Sequence, residues 1–282
     1  MKLKSLILMA TVAFSFTLSA AELTVVSTEK LEVEGVAYHP TLSPNGNIVL
    51  FSSENHRGLN ALNLATNSVQ VLDENAAAGF DPIFTANGTE VVYRTLSYQD
   101  GLARRDVKRC NVNTGEKVQL VKPERGTLNT RAMVLETYAY GCPDKQAIEV
   151  TIAGQKKEIN PIGDGYRYLW PAISPAKQKL LFNEVYSGLY VSELDGSKAK
   201  HLAFRADFPC WAGDEYVVAV SSKDDGYVIT SAKVIAIEVA TGKVTELTDD
   251  SIIVSGVTAT NDKIIYTTED GQMYVMNIKI SK

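Results

Sequence analysis

The chain has 282 residues, 45 % of them apolar, and a formal net charge of −5. Length and apolar content suffice for one large domain with a sizeable core. Acids and bases are scattered rather than blocked, which argues against a nucleic-acid partner, since that needs a basic face.

The N-terminus reads as an export signal. Lys2 and Lys4 precede an apolar run from Leu6 to Leu18, followed by Ser19-Ala20-Ala21. This charged, apolar, small-residue order predicts a secretory signal peptide over residues 1–21, cleaved after Ala21. The run is too short to span a bilayer comfortably. The alternative is an ordinary buried N-terminal helix. Without a Cys at the cleavage site, a bacterial lipid anchor is not expected. Residues 22–282 are expected to form a single periplasmic or secreted domain. They hold no second long apolar stretch, so no membrane span is expected there.

A short phrase then recurs: a Pro, an apolar residue, a tight turn and an apolar run. It reads Pro40-Thr41-Leu42-Ser43-Pro44-Asn45-Gly46, then Pro82-Ile83-Phe84-Thr85-Ala86-Asn87-Gly88. It returns as Pro171-Ala172-Ile173-Ser174-Pro175, worn as Pro209-Cys210-Trp211-Ala212-Gly213-Asp214, and last around Gly256 and Thr260-Asn261-Asp262. Pro and Gly suit such turns because one presets φ and the other accepts positive values. With one copy missing between Pro82 and Pro171, the period is roughly 43 residues, the length of a four-stranded blade.

Each turn leads into a strand pattern: Ile48–Phe51, Val91–Tyr93, Leu180–Phe182, Tyr216–Val220 and Ile264–Tyr266. A further strand follows at Leu59–Leu64, Val107–Val112, Leu189–Leu194, Val234–Val239 and Met273–Ile278. Short strands at even spacing predict an all-β array, and a propeller is its natural closure. From Leu128 to Leu169 no first turn is recognisable, but Ala147–Ile152, Ala153-Gly154 and Lys157–Ile159 still read as strand, turn, strand. This is a degenerate third blade. The last repeat stops short of a fourth strand, which Leu23–Val36 could supply. The expectation is therefore a six-bladed propeller of four-stranded antiparallel blades, its ring closed by the N-terminal strand.

The stretches "PTLSPNG", "GLYVSELDGSKAKHL" and "GQMYVMNI" resemble the repeats of TolB-like six-bladed propellers. Related repeats occur in tricorn-type peptidases and oligogalacturonate lyases. Trp211 matches the aromatic position of the phrase, where Leu42, Phe84 and Ile173 are less typical. The resemblance implies the fold, but many activities sit on propellers, so it leaves function open.

The strand order sorts the connections onto two faces. One carries the short Ser-Pro-Asn-Gly and Asp-Gly turns. The other carries the inter-blade links and two long connections, Leu96–Asp106 and Ser221–Lys233, expected as loops; long loops on a rigid scaffold are where binding is usually placed. His39, Asp81, Trp170, Phe208 and Ser255 stand just before the phase Pro or Gly, with Arg167, Tyr168, Arg205 and Asp207 nearby. Tyr98, Asp100, Arg104, Arg105 and Asp106 belong to the first long connection, Asp225 to the second. The candidate binding set is thus His39, Asp81, Tyr98, Arg104, Arg167, Tyr168, Trp170, Arg205, Asp207 and Asp225. Aromatic and charged groups together at a channel mouth suit a protein, peptide or glycan. The alternative is that Trp170 and Phe208 pack between blades while the charges are solvated.

Evidence for catalysis is thin. There is no Gly-x-Ser-x-Gly elbow. Of His39, His56 and His201, the first two fall in links on one face while His201 opens an outer strand. Asp224-Asp225-Gly226 lacks the further spaced oxygens of a cation loop. Paired carboxylates for polysaccharide chemistry could come from Asp81, Asp100, Asp207 and Asp225, but nothing in their spacing selects a pair. No catalytic residue, metal or cofactor is assigned, and a small lyase or hydrolase on the same face is the competing reading. Cys110, Cys142 and Cys210 allow at most one bridge; Cys110–Cys142 is conceivable, with buried free thiols favoured.

Overall fold

A computed structural model describes residues 21–126 and 129–281; the signal segment lies outside them except for Ala21. The chain opens with β1 (Glu22–Leu31) and then builds six antiparallel sheets. The first holds β2 (Tyr38–Leu42), β3 (Ile48–Ser52), β4 (Leu59–Asn63) and β5 (Ser68–Asp73). The second holds β6 (Ile83–Phe84), β7 (Glu90–Gln99), β8 (Leu102–Asn111) and β9 (Lys117–Glu124). The third has β10 (Tyr138–Cys142), β11 (Ala147–Ile152) and β12 (Gln155–Ile159), three strands among the described residues. The fourth holds β13 (Tyr168–Ile173), β14 (Lys179–Glu184), β15 (Gly188–Glu193) and β16 (Lys200–Ala203). The fifth holds β17 (Asp207–Ala212), β18 (Tyr216–Asp224), β19 (Ile229–Glu238) and β20 (Val244–Glu246). The sixth combines β21 (Val254–Ala259), β22 (Lys263–Thr268) and β23 (Met273–Ser281) with β1, in the order β1-β23-β22-β21.

The N-terminal strand therefore closes the ring, pairing from Glu22↔Ser281 to Leu31↔Met273. The closing seam is also hydrogen-bonded: Ala37 N donates to Gly271 O at 2.9 Å, and the Tyr38 hydroxyl donates to Glu269 O at 2.7 Å.

The repeated phrase folds as its chemistry demands. Gly46 N donates to Ser43 O, Gly88 N to Thr85 O and Lys177 N to Ser174 O, each at 2.8 Å. The hydroxyl of the same Ser or Thr also accepts from the strand that follows, as Ser43 does from Ile48 N at 2.9 Å. Gly46 and Gly88 stand at φ +68° and +70°, a region open to glycine at little cost.

In every blade but the third the second strand carries an unbroken apolar stretch, because both of its faces are buried there. Side chains alternate across a strand. Ile48 and Leu50 of β3 therefore pack toward the second blade, Val49 and Phe51 toward the sixth. Leu180 and Phe182 of β14 face the third blade, Leu181 the fifth. Among the described residues, buried apolar clusters of this kind lie across five of the six seams. The exception is the seam between the second and third blades, where polar groups bridge instead.

The two long connections are β-hairpins rather than loops. β7 and β8 stay in register out to Gln99↔Leu102, turning at Asp100-Gly101, and β18 and β19 pair out to Asp224↔Ile229. Ladder hydrogen bonds continue beyond the blade because the alternating residues of these arms fit a pleated strand as well as a loop. All three cysteines are free. No helix among the described residues is long and apolar enough to cross a membrane.

Candidate functional site

The inner strands carry a shared irregularity at the channel mouth. Pairing of β2 with β3 slips between Tyr38 and Thr41, of β13 with β14 between Leu169 and Ala172, and of β17 with β18 between Asp207 and Cys210. Inside each slip sits a left-handed residue followed by Pro: His39 at φ 54°, Trp170 at 47° and Phe208 at 53°. Asp81, before Pro82, stands at φ 50°. For residues with a β-carbon such backbone costs on the order of 1–3 kcal/mol each, and it recurs where structure is spent on a binding site. Bulges of this kind re-aim a side chain out of the ladder.

In the third and sixth blades Tyr140-Gly141 and Ser255-Gly256 take the same place. A β-carbon on Gly141 would lie 3.9 Å from Pro171 Cδ, and one on Gly256 3.1 Å from Pro40 Cδ. The missing phase residue is therefore Gly141, which the sequence hides because no Ser-Pro-Asn-Gly turn follows it.

All six blades contribute to a cavity of about 580 Å³ at the mouth, lined among others by His39, Asp81, Tyr140, Trp170, Phe208 and Ser255. Trp170 and Phe208 form a tilted aromatic pair with centroids 5.3 Å apart. On the other side His39 stacks on His56 at 3.6 Å, and His56 meets Phe80 edge-on at 4.9 Å. Burial, with His56 adding repulsion, pushes the His39 imidazole down to about 4. Burial also lowers His56. Asp81 accepts both guanidinium arms of Arg131, at 2.6 and 3.0 Å. That ion pair crosses the seam lacking an apolar cluster, since Arg131 belongs to a 3₁₀ turn, Arg131–Met133, ahead of β10.

Of the ten sequence candidates, His39, Asp81, Tyr168 and Trp170 line the cavity. Tyr168 is buried and its hydroxyl donates to Gly163 O at 3.1 Å, which makes it a wall. Arg167 is exposed. Arg205 pairs with Asp224 at 3.3 Å, and Asp207 accepts from Ser222 Oγ at 3.4 Å, with burial raising its carboxyl. Tyr98 and Arg104 lie on the first hairpin. Asp225 shapes the second hairpin's turn by accepting from Tyr227 N and Val228 N, both at 2.9 Å. Asp100 and Asp225, at two hairpin turns, do not join Asp81 in the cavity. No group of three His, Cys, Asp or Glu side chains lies close enough to hold a metal among the described residues. His201 donates through Nε2 to Ser187 O at 2.8 Å, away from the other two. Phe80, Arg131 and Tyr140 escaped the sequence reading. Phe80 adjoins Asp81 and could have been included, whereas Arg131 and Tyr140 fall in the stretch that has no repeat to index it.

Comparison with solved structures agrees on the architecture. A putative TolB from Agrobacterium tumefaciens matches with a TM-score of 0.54 and 18 % identity, over 89 % of this chain and 92 % of its own. The fold is a TolB-like six-bladed β-propeller. The propeller is also similar to the Cps50 (Swd1) β-propeller domain of Myceliophteria thermophila, with a TM-score of 0.55, 10 % identity and coverage of 91 % and 99 %. An oligogalacturonate lyase from Vibrio parahaemolyticus matches with a TM-score of 0.50 and 11 % identity, covering 88 % of the propeller and 79 % of the lyase. No protein-family model and no curated protein sequence matches the propeller.

Proposed function

We propose that this propeller is an exported, non-catalytic binding module whose channel mouth receives a segment of a protein, a peptide or a glycan. The observation that carries the reading is the ring of left-handed residues, His39, Asp81, Trp170 and Phe208, held around one cavity. Four sites of backbone strain converging on a single space are hard to explain by packing alone. The Trp170–Phe208 pair, residues 39 and 41 % exposed, offers an aromatic platform suited to a sugar face or an apolar side chain. The charged-then-apolar N-terminus supports export, as does the kinship in fold with TolB.

Peptide and glycan arrays probed with the purified chain test this. Ligands retained by the wild type and lost by folded Trp170→Ala and Phe208→Ala variants are expected. Equal retention by both variants would move binding off the mouth. A small polysaccharide-processing enzyme is the second reading, favoured by one observation: the neutral His39 imidazole shares the cavity with Asp81 and Tyr140. Chain cleavage of an array-positive glycan, abolished by His39→Gln, would decide for it.

A further inference from the structure

A second cleft lies at the foot of the first long hairpin, outside the channel mouth but sharing Phe80 with it. Its volume is about 330 Å³, and its lining includes Ala77, Phe80, Arg94, Leu96 and Arg105, with no acidic side chain. In the β7–β8 register Arg94 stands opposite Val107 and Arg105 opposite Leu96. The pleat therefore puts both arginines on one face as diagonal cross-strand neighbours. Diagonal neighbours of this kind stand roughly 7–8 Å apart, within reach of long side chains.

Among the described residues neither guanidinium makes an ion pair or a hydrogen bond to a carboxylate. Asp81, near Arg94, is held bidentately by Arg131. The Asp106 carboxylate is engaged by Thr95 and Gln119. Glu124 faces Arg105 on β9 without pairing to it. Arg94 instead lies over the Phe80 ring, its Cζ 4.9 Å from the centroid. That contact orients the planar fork and leaves its N–H edge free. Burial lowers the Arg94 guanidinium below its ordinary value, with Asp81 and Tyr140 opposing the shift and Arg105 and Arg131 adding to it.

We propose that this cleft binds an oxyanion, the carboxylate or phosphate group of a small ligand, between Arg94 and Arg105 with Phe80 as its apolar wall. Arg is suited to this because its five donors form a rigid fork that matches both groups bidentately. The proposal does not depend on what the channel mouth binds.

Titration calorimetry on the purified chain tests it, with inorganic phosphate in one arm and succinate in the other, at ionic strength matched by chloride. Saturable binding of at least one anion is expected. Arg105→Gln, at an exposed hairpin position, should weaken it by about tenfold or more. Arg94→Lys keeps the charge but loses the fork and the stack, and should weaken it too. The stronger arm identifies the ligand class. Absence of saturable binding in both arms, or equal affinity in Arg105→Gln, overturns the proposal.

Discussion

The imidazole of His39 lies flat against that of His56, with centroids 3.6 Å apart and planes 21° from parallel. Two stacked imidazoles tolerate one proton poorly and two worse, and burial lowers both. A folded-state value below the unfolded one means that stability is full above the ordinary value and falls as pH drops. For His39 the window runs from 6.5 down to about 4. The melting temperature should therefore decline across that window, and His39→Gln should flatten the histidine part of the decline. In a domain of this size each kcal/mol lost corresponds to roughly 2–4 °C. An unchanged profile in His39→Gln would show that the pair does not titrate with folding.

Asp81 and Arg131 span the seam that lacks an apolar cluster. Arg131→Met should loosen the third blade against the second, at a global cost of about 1 kcal/mol because the pair is partly exposed. Hydrogen exchange read over β10 should rise more than that over β14. A uniform rise would mean that the pair holds no particular seam.

Gly79 positions the link that carries Phe80 and Asp81. A β-carbon there would come within 2.3 Å of Ser52 Cβ and 2.8 Å of Gly58 O. Gly79→Ala should destabilise by about 1–3 kcal/mol, the range for overpacking. It should also weaken any ligand of the channel mouth, because Phe80 and Asp81 shift with the link. Denaturant unfolding with a binding assay separates the two effects, and unaltered stability would refute the packing argument.

Trp211 is buried, and its indole N–H donates to Ala172 O of the neighbouring blade at 3.1 Å. Trp211→Phe keeps a ring in the fourth-to-fifth seam but loses that hydrogen bond between blades. A loss of about 0.5–1.5 kcal/mol is expected in urea unfolding. A loss below that range would indicate that water replaces the bond.

Export is checked directly. N-terminal sequencing of the protein recovered from the cell envelope or medium should begin at Glu22. Recovery of the chain with Met1 intact and only inside the cell would rule out the signal peptide.

The blades were readable because what makes them is local. Leu180-Leu181-Phe182 is apolar on both faces, and only a strand sandwiched between two neighbours needs that. Ser43 and Thr85 mark turns whose hydrogen bonds close within five residues. The third blade resisted because Gly141 carries no turn phrase after it. The hairpin arms, Leu96–Gln99 and Leu102–Asp106, were expected as loops because their mixed polarity records solvent on one side, which a projecting strand shares with a loop.

The sequence by itself determined the repeat, the strands and the two-sided burial, since alternation along a strand is a property of neighbouring residues. Only the tertiary structure decided which residues meet. Packing of adjacent blades brings Asp81 to Arg131 and Trp170 to Phe208, and the fold of the first blade sets His56 on His39. The first two encounters depend on how far each blade turns the chain around the channel, and the third on the path of the β3–β4 link, neither of which a local pattern encodes.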